Sequence, residues 1–308
     1  MKAIMYHYVR PFNELIPNLK HLHIDDFRLQ LDLFEQEYGF VSKEAFLDSL
    51  QTGNVPQGVV LTFDDGLKCH YDFVFHELKR RGLWGIFYVP TGMYVTGKII
   101  DVHRIHILLG VIDSERVYNR LAEIITDELL TDAGKAEFKE ETYKVQQNDN
   151  YTLLVKRILN YYISYEHRER IIDELIEHFE LQHFDDVASF YVNDEELKEM
   201  HDHGMIIGSH TVNHPVLSKL DASAQEREIA DSFTYLENVC GRFAMKTFCY
   251  PYGGFHSFTD ETEAILSGEN CLFSFNVEHR DVAASDLLKR PQALPRYDCN
   301  QFEYGKCR

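Results

Sequence analysis

The sequence is short of positive charge, and it lacks long apolar runs, paired cysteines and repeats. Lys and Arg number 31 against 50 Asp and Glu, a formal charge of −19. Binding a phosphate backbone needs a basic footprint, so nucleic acid is excluded as an expected partner, and an anionic membrane surface with it. No stretch approaches the roughly 18 apolar residues of a membrane span, and the opening M-K-A-I-M-Y-H-Y-V-R has no apolar signal-peptide core. The six cysteines (Cys69, Cys240, Cys249, Cys271, Cys299, Cys307) are scattered and form no C-x-x-C pair. They read as reduced thiols, and the expected compartment is the cytoplasm. A chain trimmed of a leader would read the same way. What is present is ordinary for a globular protein: 308 residues, 44% hydrophobic and 26% charged, enough for one large α/β domain or two smaller ones.

The most informative stretch is 59–66, V-V-L-T-F-D-D-G. It predicts a strand buried on both faces that ends in two carboxylates and a glycine. Gly66 permits a sharp turn, so Asp64 and Asp65 can both reach one cleft. Alternatively, Asp65 caps the helix after Gly66. Before this strand come a strand at 3–9, with His7 and Arg10 near its end, and a helix from Asp25 or Asp26 as N-cap to Gly39. A second helix follows Ser42. After the strand comes a helix closed by K-R-R-G, then a strand at 84–90. This alternation predicts a parallel sheet. From about 99 to 183 successive helical stretches, including 114–130 and 166–181, read as an insertion. Alternation then resumes with a helix at 194–203, the strand M-I-I-G-S-H, a helix carrying Ile229, Phe233 and Leu236, and strands at 247–252, 272–277 and 293–298. The expected organisation is one domain over 1–308 with a helical insertion at about 99–183.

The stretch I-G-S-H-T-V-N-H-P sets His210 and His214 four apart, just beyond a predicted strand. Two imidazoles and a carboxylate form a common open zinc site. In barrel-like α/β folds the ends of different strands meet at one face, which brings this pair to the aspartates. Asp65 is assigned with His210 and His214 to the metal, Zn²⁺ or another divalent transition metal. Asp64 is left as general base for a water whose pKa the metal lowers to roughly 7. A third stretch, F-C-Y-P-Y-G-G-F, ends a strand in Pro and two glycines. The backbone N–H of Tyr252 is a candidate oxyanion donor, with Tyr250, Pro251 and Tyr252 as substrate contacts. An ordinary Pro-Gly turn with core aromatics is the alternative.

T-F-D-D-G, H-T-V-N-H-P and Y-P-Y-G, in this order, resemble the first three motifs of the NodB-type polysaccharide deacetylases, a carbohydrate esterase family of metal-dependent N-deacetylases. The resemblance implies a distorted (β/α) barrel, an Asp–His–His metal site and removal of acetyl from N-acetylated sugars. It makes Asp65, His210 and His214 the ligands and Asp64 the base. Two departures stand out. Where family members often carry an Arg that holds the catalytic aspartate, this chain has Cys249; Arg296 is the candidate substitute, a structural ion pair the alternative. The late Leu-x-x-His motif, which supplies a general acid, is not evident, and no histidine follows His279. His7 is the candidate acid, as some relatives lacking the late His share a similar N-terminal Tyr-His; the alternative is a buried, hydrogen-bonded histidine. His103, three before His106, is a candidate for lining a substrate groove, or a helix residue without function.

The expected activity is deacetylation of a polysaccharide, lipid-linked or nucleotide-linked N-acetyl sugar in surface-glycan synthesis. An O-deacetylase, an amidohydrolase on a non-sugar amide, or a catalytically lapsed sugar-binding relative stays open. Nothing in the sequence names the sugar, its carrier or the oligomeric state.

Overall fold

The computed structural model describes residues 1–131 and 151–308. The part of the expected insertion over 132–150 lies outside the described residues. The chain divides into two compact units. The first comprises 1–11, 21–96 and 187–308, and the second comprises 12–20 and 97–186.

The first unit is built on seven parallel strands. They are β1 (Lys2–Tyr6), β2 (Val59–Phe63), β3 (Ile86–Val89), β4 (Ile206–Ser209), β5 (Lys246–Cys249), β6 (Cys271–Phe275) and β7 (Tyr297–Asp298). Their order in the sheet is β6-β5-β4-β3-β2-β1-β7. Every residue of β2, β3 and β4 is buried, as expected of strands covered on both faces. The segment before β7 closes the ring. Leu294 bridges Phe275 of β6 while Tyr297 pairs with Ile4 of β1, so one short segment touches both ends of the strand order. The result is a distorted (β/α) barrel. Because all strands run the same way, the residues after β1, β2, β4 and β5 emerge on one rim. Arg296, next to the closing segment's strand, is fully buried inside.

Local chemistry explains most helix limits. Ser42 accepts from the Ala45 N–H and starts the helix Lys43–Thr52, which stops at Gly53 with φ 74°. Asn193 and Glu196 form a capping box at the start of Asp194–Asp202. One expectation is corrected. The first helix, Ile24–Glu37, is capped not by Asp25 or Asp26 but by His23, whose ring nitrogen accepts from the Asp25 N–H; both aspartates lie in the first turn. The helical stretch after Gly66 begins at Lys68, with Asp65 in the turn before it, and runs as a π-turn His70–Phe75 into His76–Arg81.

The second unit is helical. Its helices include Asp101–Val111, Ser114–Ile124, Tyr151–Arg157 and Tyr165–His178. They enclose a core of their own, with Ile105, Leu108, Leu121, Leu159, Ile171 and Leu175 among its buried members. Among the described residues no helix is long and apolar enough to cross a membrane.

Candidate active site

Asp64 and Asp65 follow β2 directly, and both are 2% exposed. The Asp64 N–H donates to the Tyr6 carbonyl at 2.9 Å, which continues the β1–β2 ladder one residue past the strand. The chain then reverses, with Asp65 at φ 84° and Gly66 at φ 60°. A Cβ on Gly66 would stand 2.8 Å from the Val89 side chain, so glycine is needed there for space as well as conformation. This reversal lets two successive carboxylates share a cleft.

Arg296 clasps Asp64. Nη1 donates to Oδ1 at 2.8 Å and Nη2 to Oδ2 at 2.7 Å, a bidentate charge-assisted pair. Nη1 also donates to the Thr62 hydroxyl at 2.9 Å, and Nη2 to the Cys249 sulfur at 2.8 Å. Burial pushes the Asp64 carboxyl up, but the Arg296 charge and its hydrogen bonds outweigh that and hold it down at about 2. Burial pushes the Cys249 thiol up, so it stays protonated, and it donates to Asp64 Oδ2 at 3.5 Å.

Asp65 faces two imidazoles. The Nε2 atoms of His210 and His214 each lie 3.5 Å from its Oδ1, and the two rings are 4.7 Å apart at 79°. The ligand atoms of the three residues all fall within 4.8 Å of one another. The donor set fits a divalent metal. Ligands held about 2.0–2.2 Å from a tetrahedral ion stand roughly 3.4 Å apart, close to the separation seen. His210 engages the Cys249 carbonyl through Nδ1 at 2.7 Å, which selects the tautomer that leaves Nε2 for the ion. A second trio, Asp64, His210 and Cys249, is as compact. The guanidinium on Asp64 and Cys249 opposes a cation there, so Asp65, His210 and His214 are the better set.

The loop that carries the histidines is braced from outside the cleft. Glu228, on the helix Ala222–Cys240, accepts from the N–H groups of Val212 and Asn213 at 2.9 and 2.8 Å. Thr211 (φ 68°) and His214 (φ 56°) sit in the left-handed region, and the Thr211 hydroxyl accepts from the His214 N–H at 2.9 Å. Asp65, Thr211, His214 and Tyr252 make four of the seven non-glycine residues with positive φ among those described. Such strain, concentrated in one cleft, marks a site that its surroundings over-determine.

The remaining candidates fall as follows. His7 follows β1, and its imidazole lies near the Asp64 carboxyl. Its carbonyl accepts from His70 Nε2 at 2.8 Å. Tyr252 has φ 65°, and its ring meets His214 with centroids 4.9 Å apart. Gly253 follows at φ 62°, where a Cβ would stand 2.3 Å from Val277. Pro251 is buried. Tyr250 is also buried, donates its hydroxyl to the Gln292 carbonyl at 2.6 Å and stacks on Phe258 at 3.8 Å. His103 belongs to the second unit, where it is fully buried in Asp101–Val111 with its ring 5.8 Å from that of His106. Sequence reasoning passed over Thr62, His70 and Glu228 altogether. None carries a local signal, since each matters only through a contact made across the sheet or from a helix.

A family model described as polysaccharide deacetylase matches residues 169–267, which include His210, His214 and Tyr252. No curated protein sequence matches. Solved structures do. The Streptococcus pyogenes deacetylase PplD, determined in complex with acetate, is 18% identical with a TM-score of 0.59, covering 97% of this chain and 91% of that one. IcaB from Ammonifex degensii is 18% identical with a TM-score of 0.51 over 89% of this chain and 82% of its own. The deacetylase domain of BpsB from Bordetella bronchiseptica is 13% identical with a TM-score of 0.52 over 96% and 94%. At these identities the structural likeness establishes the fold. The matched segment, about a third of the chain, and the shared barrel are what this chain has in common with polysaccharide deacetylases.

Proposed function

We propose that the protein is a metal-dependent hydrolase that removes acetyl from an N-acetylated sugar carried on a glycan, a lipid or a nucleotide. The observation that carries this reading is the pairing of an ion-ready trio, two imidazole nitrogens each 3.5 Å from Asp65 Oδ1, with the adjacent carboxylate of Asp64 held by Arg296. Acetate in the PplD structure is the product such a reaction would release.

In this reading Asp65, His210 and His214 hold a divalent metal, which when bound supplies Lewis acidity toward the acyl oxygen and activates water. Asp64 accepts the proton of the attacking water at its carboxylate. Arg296 occupies one lone pair on each Asp64 oxygen and the Cys249 thiol a second on Oδ2, which leaves Oδ1 for that proton. The Tyr252 N–H donates to the oxygen that becomes anionic at the tetrahedral carbon. His7 hands a proton to the departing nitrogen, since an amine leaves poorly without one. Pro251 and Tyr252 border the acyl group.

The test is acetate release from a panel of N-acetyl sugars by wild type and Asp64→Asn, with and without chelator. Release that chelator abolishes, Zn²⁺ restores and the variant lacks is the expected result. A metal-loaded wild type that frees no acetate from any member of the panel overturns the proposal.

A further inference from the structure

The guanidinium of Arg296 sits in a frame that the pair with Asp64 does not account for. Of its five N–H donors, two go to Asp64, one to the Thr62 hydroxyl and one to the Cys249 sulfur, while Nε has no hydrogen-bond partner among the described residues. The Thr62 hydroxyl is itself oriented. It donates to the Ile4 carbonyl at 2.9 Å, which turns a lone pair toward Arg296. The Cys249 thiol closes a ring, accepting from Nη2 at 2.8 Å and donating to Asp64 Oδ2 at 3.5 Å. The rings of Tyr88 and Phe275 stand 5.8 and 5.6 Å from the guanidinium carbon, distances suited to cation–π attraction. Cys249 also has its sulfur 3.7 Å from the Tyr250 carbonyl, and its own carbonyl is the partner of His210 Nδ1. One residue of β5 thus touches both the clasp on Asp64 and a metal-ligand histidine.

We propose that Thr62 and Cys249 are positioning residues: they set the plane of the Arg296 guanidinium, and through it the orientation of the Asp64 carboxylate. Cys249 also ties that orientation to His210. The inference rests on the reading of Asp64 as the base. Thr62 acts through Arg296 alone. Neither residue touches the sugar, so each governs the rate of the chemical step and not the binding of substrate. Arg296 without the frame keeps its charge and its salt bridge but loses the two contacts that stop the fork from rotating about the carboxylate.

Volume-conserving changes separate this role from packing. Thr62→Val keeps shape and removes the acceptor; the expected result is a kcat about 10–100-fold lower with KM and metal stoichiometry unchanged. Thr62→Ser restores the hydroxyl and is expected to return kcat to within about threefold. Cys249→Ala and Cys249→Ser form the parallel pair. A drop confined to KM, a drop that the Ser variants fail to recover, or no drop in either Val or Ala variant overturns the proposal. A second readout needs no turnover. In protein carrying ¹⁵N-arginine, the Arg296 Nη–H signals, assigned by their loss in Arg296→Lys, are expected to be separate in wild type and merged in Thr62→Val. Signals unchanged in Thr62→Val count against the frame. A wild type that releases no acetate defeats the deacetylase reading alone, and the resonances then decide the positioning.

Discussion

Asp64 meets a guanidinium across 2.8 and 2.7 Å, whereas its neighbour Asp65 meets two imidazole nitrogens at 3.5 Å each. The first set of distances is that of finished charge-assisted hydrogen bonds. The second is too long for good hydrogen bonds and suits ligands that share an ion. Two adjacent carboxylates, equally buried, thus differ in their surroundings: one is completed by a cation built into the chain, and the other, on the proposed reading, by a cation taken from solution. The contrast separates the effects that substitutions in each half should produce.

The largest expected effect is on the ion side. His214→Ala leaves two ligands, and bound metal and activity are both expected to be lost, as read by elemental analysis beside the acetate assay. Asp64→Asn is the counterpart: activity falls about 10²–10⁴-fold while metal stoichiometry stays that of wild type. Equal metal loss in the two variants would erase the distinction between the aspartates.

Next is the clasp. Arg296→Met keeps much of the volume and leaves the Asp64 carboxylate buried without its partner. A loss of about 3–5 kcal/mol in denaturant unfolding is expected, with Arg296→Lys recovering only part because it cannot bind both oxygens. The clasp also sets an acid limit. The Asp64 carboxyl is depressed from 3.8 to about 2 in the folded chain, so its stabilisation is full above pH ~4 and lost as pH falls toward ~2, about 2 kcal/mol in all. Arg296→Met should remove that step from the pH dependence of unfolding.

A separate pH effect comes from His70. Burial lowers its imidazole from 6.5 to about 4, outweighing the bond to the His7 carbonyl, and its ring packs against Phe63 and Phe87. Nε2 donates to His7, and Nδ1 has no hydrogen-bond partner among the described residues. The neutral ring is the folded form, so stability is present above pH ~6.5 and declines as pH falls toward ~4, by up to about 3 kcal/mol. Thermal melts of wild type and His70→Gln over that window check it; parallel curves would show that His70 is not the group responsible. The smallest effect concerns the first helix, where His23→Ala should cost about 0.5–1 kcal/mol and Asp25→Ala less, if the imidazole is the cap.

Much of the barrel was legible because each inner strand is a short apolar run bounded by turn residues. The stretch V-V-L-T-F is β2 residue for residue, and M-I-I-G-S-H overruns β4 by one residue at each end. The end of the chain was less so. A strand expected over 293–298 is a bridge at Leu294 followed by two paired residues at Tyr297–Asp298, since the segment must cross from β6 to β1. The four candidate residues Asp64, Asp65, His210 and His214 were legible because motif residues sit directly after strands, where parallel topology collects them. The frame around Arg296 was not: Thr62 looks like any β-former, and Cys249 stood out only as a departure from a motif.

By itself the amino-acid order determined the alternation of strand and helix, the two carboxylates at one strand end and the two imidazoles at another, because periodicity and turn chemistry act over a few residues. The motifs suggested which carboxylate receives the arginine and which faces the histidines, and tertiary structure decided it. That choice depends on Arg296, separated from Asp64 by most of the chain, entering the barrel through its closing segment, and on a backbone reversal at Asp65 that turns adjacent side chains into the same cleft. Contacts of such long range leave no local pattern, since they exist only once the sheet has curled and water has been excluded from its interior.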